Sequence, residues 1–151
     1  MGAGDLLVKG AEMVLPDRIV VGDLRVASGV ISTVAPDGGL EPLAGETVID
    51  GEGYLLMPGA IDPQVHFREP GQPDKETIGS GSRAAAAGGV TSFLDMPNNI
   101  PAATSMAAMQ AKIDSAARTA VTNYGFFIGA TPSNISDLVE VIVTPDEPVQ
   151  T

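Results

Sequence analysis

The sequence contains no cysteine and no tryptophan, and aromatic residues make up only 4% of its 151 residues. Without cysteine the chain has neither disulfides nor thiolate metal ligands. The scarcity of aromatic residues predicts a core built from Val, Ile, Leu, Met and Ala. Hydrophobic residues still amount to 44%, which is enough for a packed domain and argues against global disorder.

Positive charge is also scarce. The chain has 8 Lys and Arg against 19 Asp and Glu, a formal net charge of −11. Nucleic acid and anionic membrane surfaces repel such a chain, so we expect neither as a partner. No apolar run approaches the ~20 residues that cross a bilayer, and the first residues lack the basic and apolar segments of a signal peptide. These observations favour a soluble, cytoplasmic protein.

The sequence pattern changes at Pro58-Gly59. Before this point, short β-branched runs separated by Gly, Asp and Ser predict a small antiparallel β unit over residues 5–57. After it, strands and helices alternate over residues 58–140, which predicts an α/β fold with parallel strands and right-handed crossovers. Residues 141–151 are polar and proline-rich and predict an irregular tail. Within 58–140 we expect strands at 60–67, 90–96 and 123–129, with helices at 75–87 and 105–119.

Two details of the helices follow from the sequence. We expect Asp74 to cap the first helix and Gly88-Gly89 to end it. In the second, Met106, Met109, Ile113 and Ala117 recur at helical spacing and predict the face that packs on the sheet. Either an open doubly wound sheet or three units of a (β/α)₈ barrel fits the alternation, and a whole barrel needs about 250 residues.

Polar residues gather where the predicted strands end, which is where parallel α/β folds carry their chemistry. Gln64, His66 and Arg68 are two residues apart and share one face of an extended chain. A neutral imidazole beside a guanidinium suits a metal and an anionic substrate group. Asn98 follows the next strand and can donate to a carboxylate or amide, although Asn98-Asn99 is also typical of a plain turn.

These motifs resemble the opening of the amidohydrolase superfamily, most of all dihydroorotases, with allantoinases and dihydropyrimidinases near by. His-Phe-Arg-Glu-Pro-Gly at 66–71 and Met-Pro-Asn at 96–98 together are fairly specific, whereas either alone is weak. The resemblance runs from about residue 6 to residue 138. The segments that carry it are 48–50, 56–63, 65–71, 82–91 and 95–98.

The resemblance implies the N-terminal part of a (β/α)₈ TIM barrel, preceded by part of a small β-sandwich subdomain. It implies a hydrolase that opens, or in reverse closes, a ring amide with a zinc-activated water, such as dihydroorotate to N-carbamoyl-aspartate in pyrimidine biosynthesis. His66 matches a zinc ligand, and Arg68 and Asn98 match residues that bind a substrate carboxylate. For the full-length protein we expect a homo-oligomer.

The sequence departs from the family in two ways. Gln64 stands where the first zinc-binding His is expected, and an amide oxygen is a poor zinc ligand beside imidazole. The family's later metal ligands and catalytic groups are expected beyond residue 151, so we expect a truncated or frame-shifted product that is inactive alone and aggregation-prone. Two alternatives stay open: a non-catalytic homologue with a structural or partner role, and a hydrolase of the allantoinase or dihydropyrimidinase type.

Overall fold

The structure is a computed structural model that describes residues 4–136, 138 and 139. The chain forms two compact units, Met1–Pro58 and Gly59–Thr151. The irregular tail predicted at 141–151 lies outside the described residues. Among the residues described, no helix combines the length and the apolar character needed to cross a membrane.

The first unit is built on an antiparallel meander. Its strands are β1 (Leu6–Val14), β2 (Ile19–Ala27) and β3 (Val30–Pro36). Strand β1 has an irregularity between Val8 and Ala11, where Gly10 has a φ of 69°. A bulge of this kind leaves a backbone N–H unpaired in the ladder, and the Gly10 N–H donates to the Asp23 carboxylate at 2.9 Å.

The expectation of a purely antiparallel first unit is wrong. Strands β4 (Thr47–Asp50) and β5 (Leu55–Leu56) both pair with β1 in parallel, so the sheet order is β3-β2-β1-β4 with β5 also beside β1. Parallel neighbours need a long connection. The chain supplies it by passing through β2, β3 and the loop at 37–46 before it returns to β1.

The second unit has the alternating order that the sequence predicts. Its three strands lie in the order β6-β7-β8 and both pairings are parallel. The helices α1 and α2 connect them, as βαβ units require. The elements are β6 (Ala60–Val65), α1 (Ile78–Ala87), β7 (Val90–Asp95), α2 (Met106–Thr119) and β8 (Asn123–Phe126).

Helix α1 starts later than predicted. Thr77, not Asp74, is its N-cap: the Thr77 hydroxyl accepts from the Ser80 N–H, and the Ser80 hydroxyl accepts from the Thr77 N–H. This reciprocal pair satisfies two backbone N–H donors at the start of the helix. Asp74 lies three residues before Thr77, so a cap at Asp74 would leave these two donors unsatisfied. Gly88 caps the other end, as expected.

The predicted inner face of α2 is wrong. Met106 and Ile113 are 44% and 37% exposed, and Ala117 is exposed. The buried residues of the helix are Lys112, Ser115 and Ala116, which also share one face because they are three and four positions apart. Hydrophobic spacing identified a helix but selected the wrong side, because the side that packs is made of small residues and one lysine.

The second unit's core is aromatic, which contradicts the expectation of an aliphatic one. The chain has only four Phe and two Tyr, and three of the Phe and one Tyr meet here. Phe93 is fully buried, with Phe67 edge-on to it at a centroid distance of 4.8 Å. Tyr124 and Phe126 pack on the other side, each 6.4 Å from Phe93. Such edge-to-face contacts add to the burial of a large apolar area.

Candidate functional site

The candidate site lies where β6 and β7 end. Because the two strands are neighbours and parallel, their carboxyl ends meet at one edge of the sheet. The loop after β6 carries His66 and Arg68, and the loop after β7 carries Asn98. The structure therefore brings residues 32 positions apart to the same edge.

His66 and Asn98 are in contact. The His66 Nδ1 lies 2.9 Å from the Asn98 Oδ1, and both side chains are exposed. An amide oxygen only accepts, so a hydrogen bond between these two atoms requires a proton on Nδ1, and in a neutral ring the lone pair is then on Nε2. The amide group of Asn98 is left to donate to another molecule.

Arg68 and Gln64 are exposed on the same stretch of chain. Within the described part of the chain, the Arg68 guanidinium makes no hydrogen bond or ion pair, and the Gln64 side-chain amide makes none either. Strand β6 ends at Val65, so Gln64 lies in the strand whereas His66 and Arg68 lie in the loop. The predicted alternation along one extended face therefore stops after Gln64.

Sequence analysis did not predict that the residues between the predicted site residues are anchored. The Phe67 N–H donates to the Asp95 Oδ1 at 2.9 Å, and the Phe67 carbonyl accepts from the Asn99 Nδ2 at 3.1 Å. The same amide nitrogen donates to the Glu69 carbonyl at 2.9 Å. Asn99, which the sequence suggested as a turn residue, is buried and holds the β6 loop in place.

Glu69 ties this loop to both helices. One carboxylate oxygen accepts from the Ile78 N–H at the start of α1 at 2.9 Å, where a helix N-terminus favours negative charge. The other accepts from the Ser115 hydroxyl of α2 at 2.6 Å. The backbone of the loop that carries His66 and Arg68 and its Glu69 side chain are therefore held by several hydrogen bonds. The side chains of His66 and Arg68 are exposed to solvent.

A buried ion pair lies beneath the loop. The Lys112 Nζ is 2.6 Å from the Asp95 Oδ2, and both side chains are fully buried. This carboxylate oxygen accepts no aligned hydrogen bond, so its contact with the ammonium is ionic. Sequence analysis missed Lys112. The only signal was its place at helical spacing from the small residues Ser115 and Ala116.

The described residues do not by themselves fit a zinc ion. No group of three His, Cys, Asp or Glu side chains in the part of the chain that the structure describes is placed to hold a metal. His66 is the only histidine, and Gln64 offers a weak amide oxygen. The described residues therefore supply at most one strong zinc ligand, the imidazole of His66.

A cavity of about 440 Å³ lies at the opposite end of the sheet. Val90, Thr91 and Asn123, at the starts of β7 and β8, line it. None of the predicted site residues contributes to it. Because parallel α/β folds place their chemistry at the carboxyl ends of strands, the candidate site remains at the His66 end.

Comparison with known families decides where the chain belongs. A family model described as dihydro-orotase-like matches residues 53–142, more than half of the chain. The chain belongs to the dihydro-orotase-like family. An allantoinase from Rubrobacter xylanophilus is 41% identical over 142 residues, which cover 93% of this chain and 30% of that protein. A dihydroorotase from Bacillus licheniformis is 51% identical over 79 residues, which cover 52% of this chain and 18% of that protein.

The structural comparison agrees with the family assignment. An L-hydantoinase from Arthrobacter aurescens matches with a TM-score of 0.84 and 26% identity, over 93% of this chain and 31% of that one. The expected fold class, the first part of a (β/α)₈ barrel preceded by a small β subdomain, is confirmed. The chain spans about a third of the length of the dihydro-orotase-like relatives that it matches over most of its own length.

Proposed function

We propose that this chain, as part of a full-length protein and not on its own, hydrolyses the amide bond of a small ring that carries a carboxylate, and that this ring is dihydroorotate. Water adds to the ring carbonyl carbon, the C–N bond breaks and the ring nitrogen takes a proton, which yields N-carbamoyl-aspartate. The reverse reaction closes the ring. The proposal rests on the membership of a family whose relatives are named allantoinase and dihydroorotase.

The observation that carries the choice of substrate is the pair of free donors beside His66. Arg68 is exposed with no described partner, and a guanidinium binds a carboxylate through two parallel hydrogen bonds. The Asn98 amide nitrogen makes no hydrogen bond among the described residues and adds a third donor. A ring with an acid group uses all three, whereas an uncharged ring leaves the guanidinium unpaired.

His66 has a different part in this proposal. When Nδ1 donates to Asn98, the Nε2 lone pair of a neutral ring is left to accept a proton or to ligate a metal. Zinc, when bound, lowers the pKa of a water molecule. Because the described residues supply one imidazole, zinc dependence stays a prediction, and metal analysis of the purified protein tests it.

The experiment compares dihydroorotate with dihydrouracil, which is the same ring without the carboxylate. Replacing Arg68 by Ala removes a charge-assisted hydrogen-bond pair worth about 1.5–3 kcal/mol, so kcat/KM for dihydroorotate should fall about 10- to 100-fold. Turnover of dihydrouracil should be unchanged. Arg83→Ala is the matched control, since Arg83 is an exposed arginine of α1. Equal losses for both rings would contradict the assignment of Arg68 to the carboxylate.

Two other functions have support of their own. The alignment to the allantoinase covers nearly the whole chain, which favours allantoin as an alternative ring. Gln64, in place of a histidine ligand, favours a homologue without catalysis that serves a structural or partner role. A panel of dihydroorotate, allantoin and hydantoin, assayed with the full-length protein, separates these: the best substrate identifies the ring, and a folded full-length protein that turns over none of them favours the third function.

A further inference from the structure

Lys112 is the least expected buried group in the second unit. Three oxygen atoms surround its ammonium. It donates hydrogen bonds to the Asn99 Oδ1 at 2.7 Å and the Met96 carbonyl at 3.1 Å, and it forms an ion pair with the Asp95 Oδ2 at 2.6 Å. It also lies 4.8 Å from the centre of the Phe126 ring. Burying an ion pair gains little stability over an apolar replacement of similar volume, so stability alone does not account for it.

These oxygen atoms belong to residues at the end of β7 and in the loop after it. Two of these residues, Asp95 and Asn99, also hold Phe67. Asp95 has one carboxylate oxygen on Lys112 and the other on the Phe67 N–H. Asn99 has its oxygen on Lys112 and its nitrogen on the Phe67 carbonyl. The ammonium thus fixes the orientation of two side chains, and each of them holds one side of the same residue.

The backbone geometry links this arrangement to the candidate site. The N–H of Phe67 belongs to the peptide plane shared with His66, and its carbonyl belongs to the plane shared with Arg68. Each of the two planes is held by one buried hydrogen bond. The directions in which the side chains of His66 and Arg68 leave the backbone depend on these two planes.

We propose that Lys112 is a positioning residue: through Asp95 and Asn99 it fixes the two peptide planes beside Phe67, and so directs His66 towards Asn98 and Arg68 towards the substrate. This inference deepens the proposed function, since it concerns the same site. It does not depend on which ring is hydrolysed, because the contact between His66 and Asn98 involves only atoms of the protein.

The test uses the single histidine as a probe. Because His66 is the only one in the chain, the imidazole ¹⁵N spectrum of the labelled protein reports on this ring alone. In the wild-type protein we expect a protonated Nδ1 and an unprotonated Nε2, with clearly separated shifts. In Lys112→Met we expect that separation to be lost, because the ring no longer keeps its contact with Asn98.

Two further variants make the result decisive. Lys75→Met is the matched control, since it makes the same change at an exposed lysine, and it should keep the wild-type spectrum. Asn99→Ala removes one of the two side chains that hold Phe67 but leaves the ion pair of Asp95 with Lys112 intact. It therefore tests the inference if Lys112→Met does not fold. Circular dichroism and cooperative unfolding establish that each variant is folded.

A wild-type imidazole spectrum in folded Lys112→Met, or in folded Asn99→Ala, would overturn the inference. The spectra are recorded without substrate, so they separate this inference from the proposed function. A protein that turns over no cyclic amide but loses the His66 signature in these variants would contradict the function and leave the positioning role standing. A protein that hydrolyses dihydroorotate, and whose Lys112→Met and Asn99→Ala variants keep the wild-type spectrum, would support the function and contradict the positioning role.

Discussion

Phe67 lies between two candidate site residues, and a glycine makes room for its ring. A Cβ atom added to Gly81 of α1 would lie well inside van der Waals contact of the Phe67 ring. The ring cannot easily move, because it is buried and packed edge-on against Phe93. At the scale of single residues, the position of the site loop therefore depends on the absence of a side chain in the helix beside it.

Gly81→Ala should consequently reverse the usual effect of this substitution. Alanine in a helix interior normally stabilises by about 0.5–1 kcal/mol relative to glycine. Here overpacking should instead lower the free energy of unfolding by about 1–3 kcal/mol, measured by urea denaturation. Gly88→Ala is the control, since Gly88 has a φ of −90° and an added Cβ would meet only ordinary contacts. Stabilisation by Gly81→Ala would show that the ring yields without cost.

Single residues also show where sequence reasoning stopped. His66, Arg68 and Asn98 were predicted as site residues because they follow predicted strands, and the His66 Nδ1 lies 2.9 Å from the Asn98 Oδ1. Lys112 was not found, because a lone lysine in a helix is normally a surface residue. Its burial depends on Asp95 and Asn99, which arrive from a neighbouring strand and its loop. No local pattern carries that information.

At the scale of elements, the sequence pattern predicted the presence of strands and helices better than the direction in which neighbouring strands run. Alternation of strand and helix predicted that β6, β7 and β8 are parallel, because crossovers through helices join parallel strands. In the first unit, closely spaced β-branched runs predicted antiparallel strands, but β4 and β5 run parallel to β1. A short β-branched run indicates a strand but not the direction of its neighbour, which the length of the connection decides.

The start of α1 offers a direct test between the predicted cap and the observed one. Thr77→Ala should lower the free energy of unfolding by about 1 kcal/mol, because it removes the acceptor of the Ser80 N–H. Thr77→Ser keeps the hydroxyl and should be close to wild type. Asp74→Ala should change the urea midpoint little. A larger loss of unfolding free energy for Asp74→Ala than for Thr77→Ala would contradict Thr77 as the N-cap and support Asp74, as predicted from the sequence.

At the scale of the whole molecule, motifs predicted more than composition did. Two short segments, 66–71 and 96–98, indicated the family to which the chain belongs and the fold class. Composition predicted the aliphatic core of the first unit, with Leu7, Val8, Ala11 and Met13 buried, but not the core of the second. Phe67, Phe93, Tyr124 and Phe126 instead gather in one cluster, because large rings fill the space between a sheet and its helices efficiently.

The excess of acidic residues makes the response of the whole chain to acid informative. Two carboxyls of the first unit have lowered pKa values. Burial raises the pKa of Asp23, but hydrogen bonds from the backbone N–H groups of Gly10 and Leu40, with the charge of Lys9, lower it further than burial raises it. The pKa of Glu46 is lowered, chiefly by its hydrogen bond with the Arg25 side chain.

The sign of the effect on stability follows from these directions. A carboxyl whose pKa is lower in the folded state stabilises the fold while it is ionised, so the contribution is present at neutral pH. It is lost as the pH falls from the ordinary carboxyl value of about 4 through the lower folded pKa. Asp23→Asn should therefore be less stable than wild type at pH 7, and the difference should shrink between pH 4 and pH 2.

Urea denaturation at pH 7, 4, 3 and 2 measures this difference. Asp17→Asn is the matched control, because Asp17 is an exposed carboxylate whose only described partner is the adjacent Arg18 at the surface, and such pairs contribute little. It should follow the wild-type curve at every pH. A constant gap between Asp23→Asn and wild type would mean that Asp23 stabilises by packing alone, because neither ionisation nor its loss would then affect the bulge at Gly10.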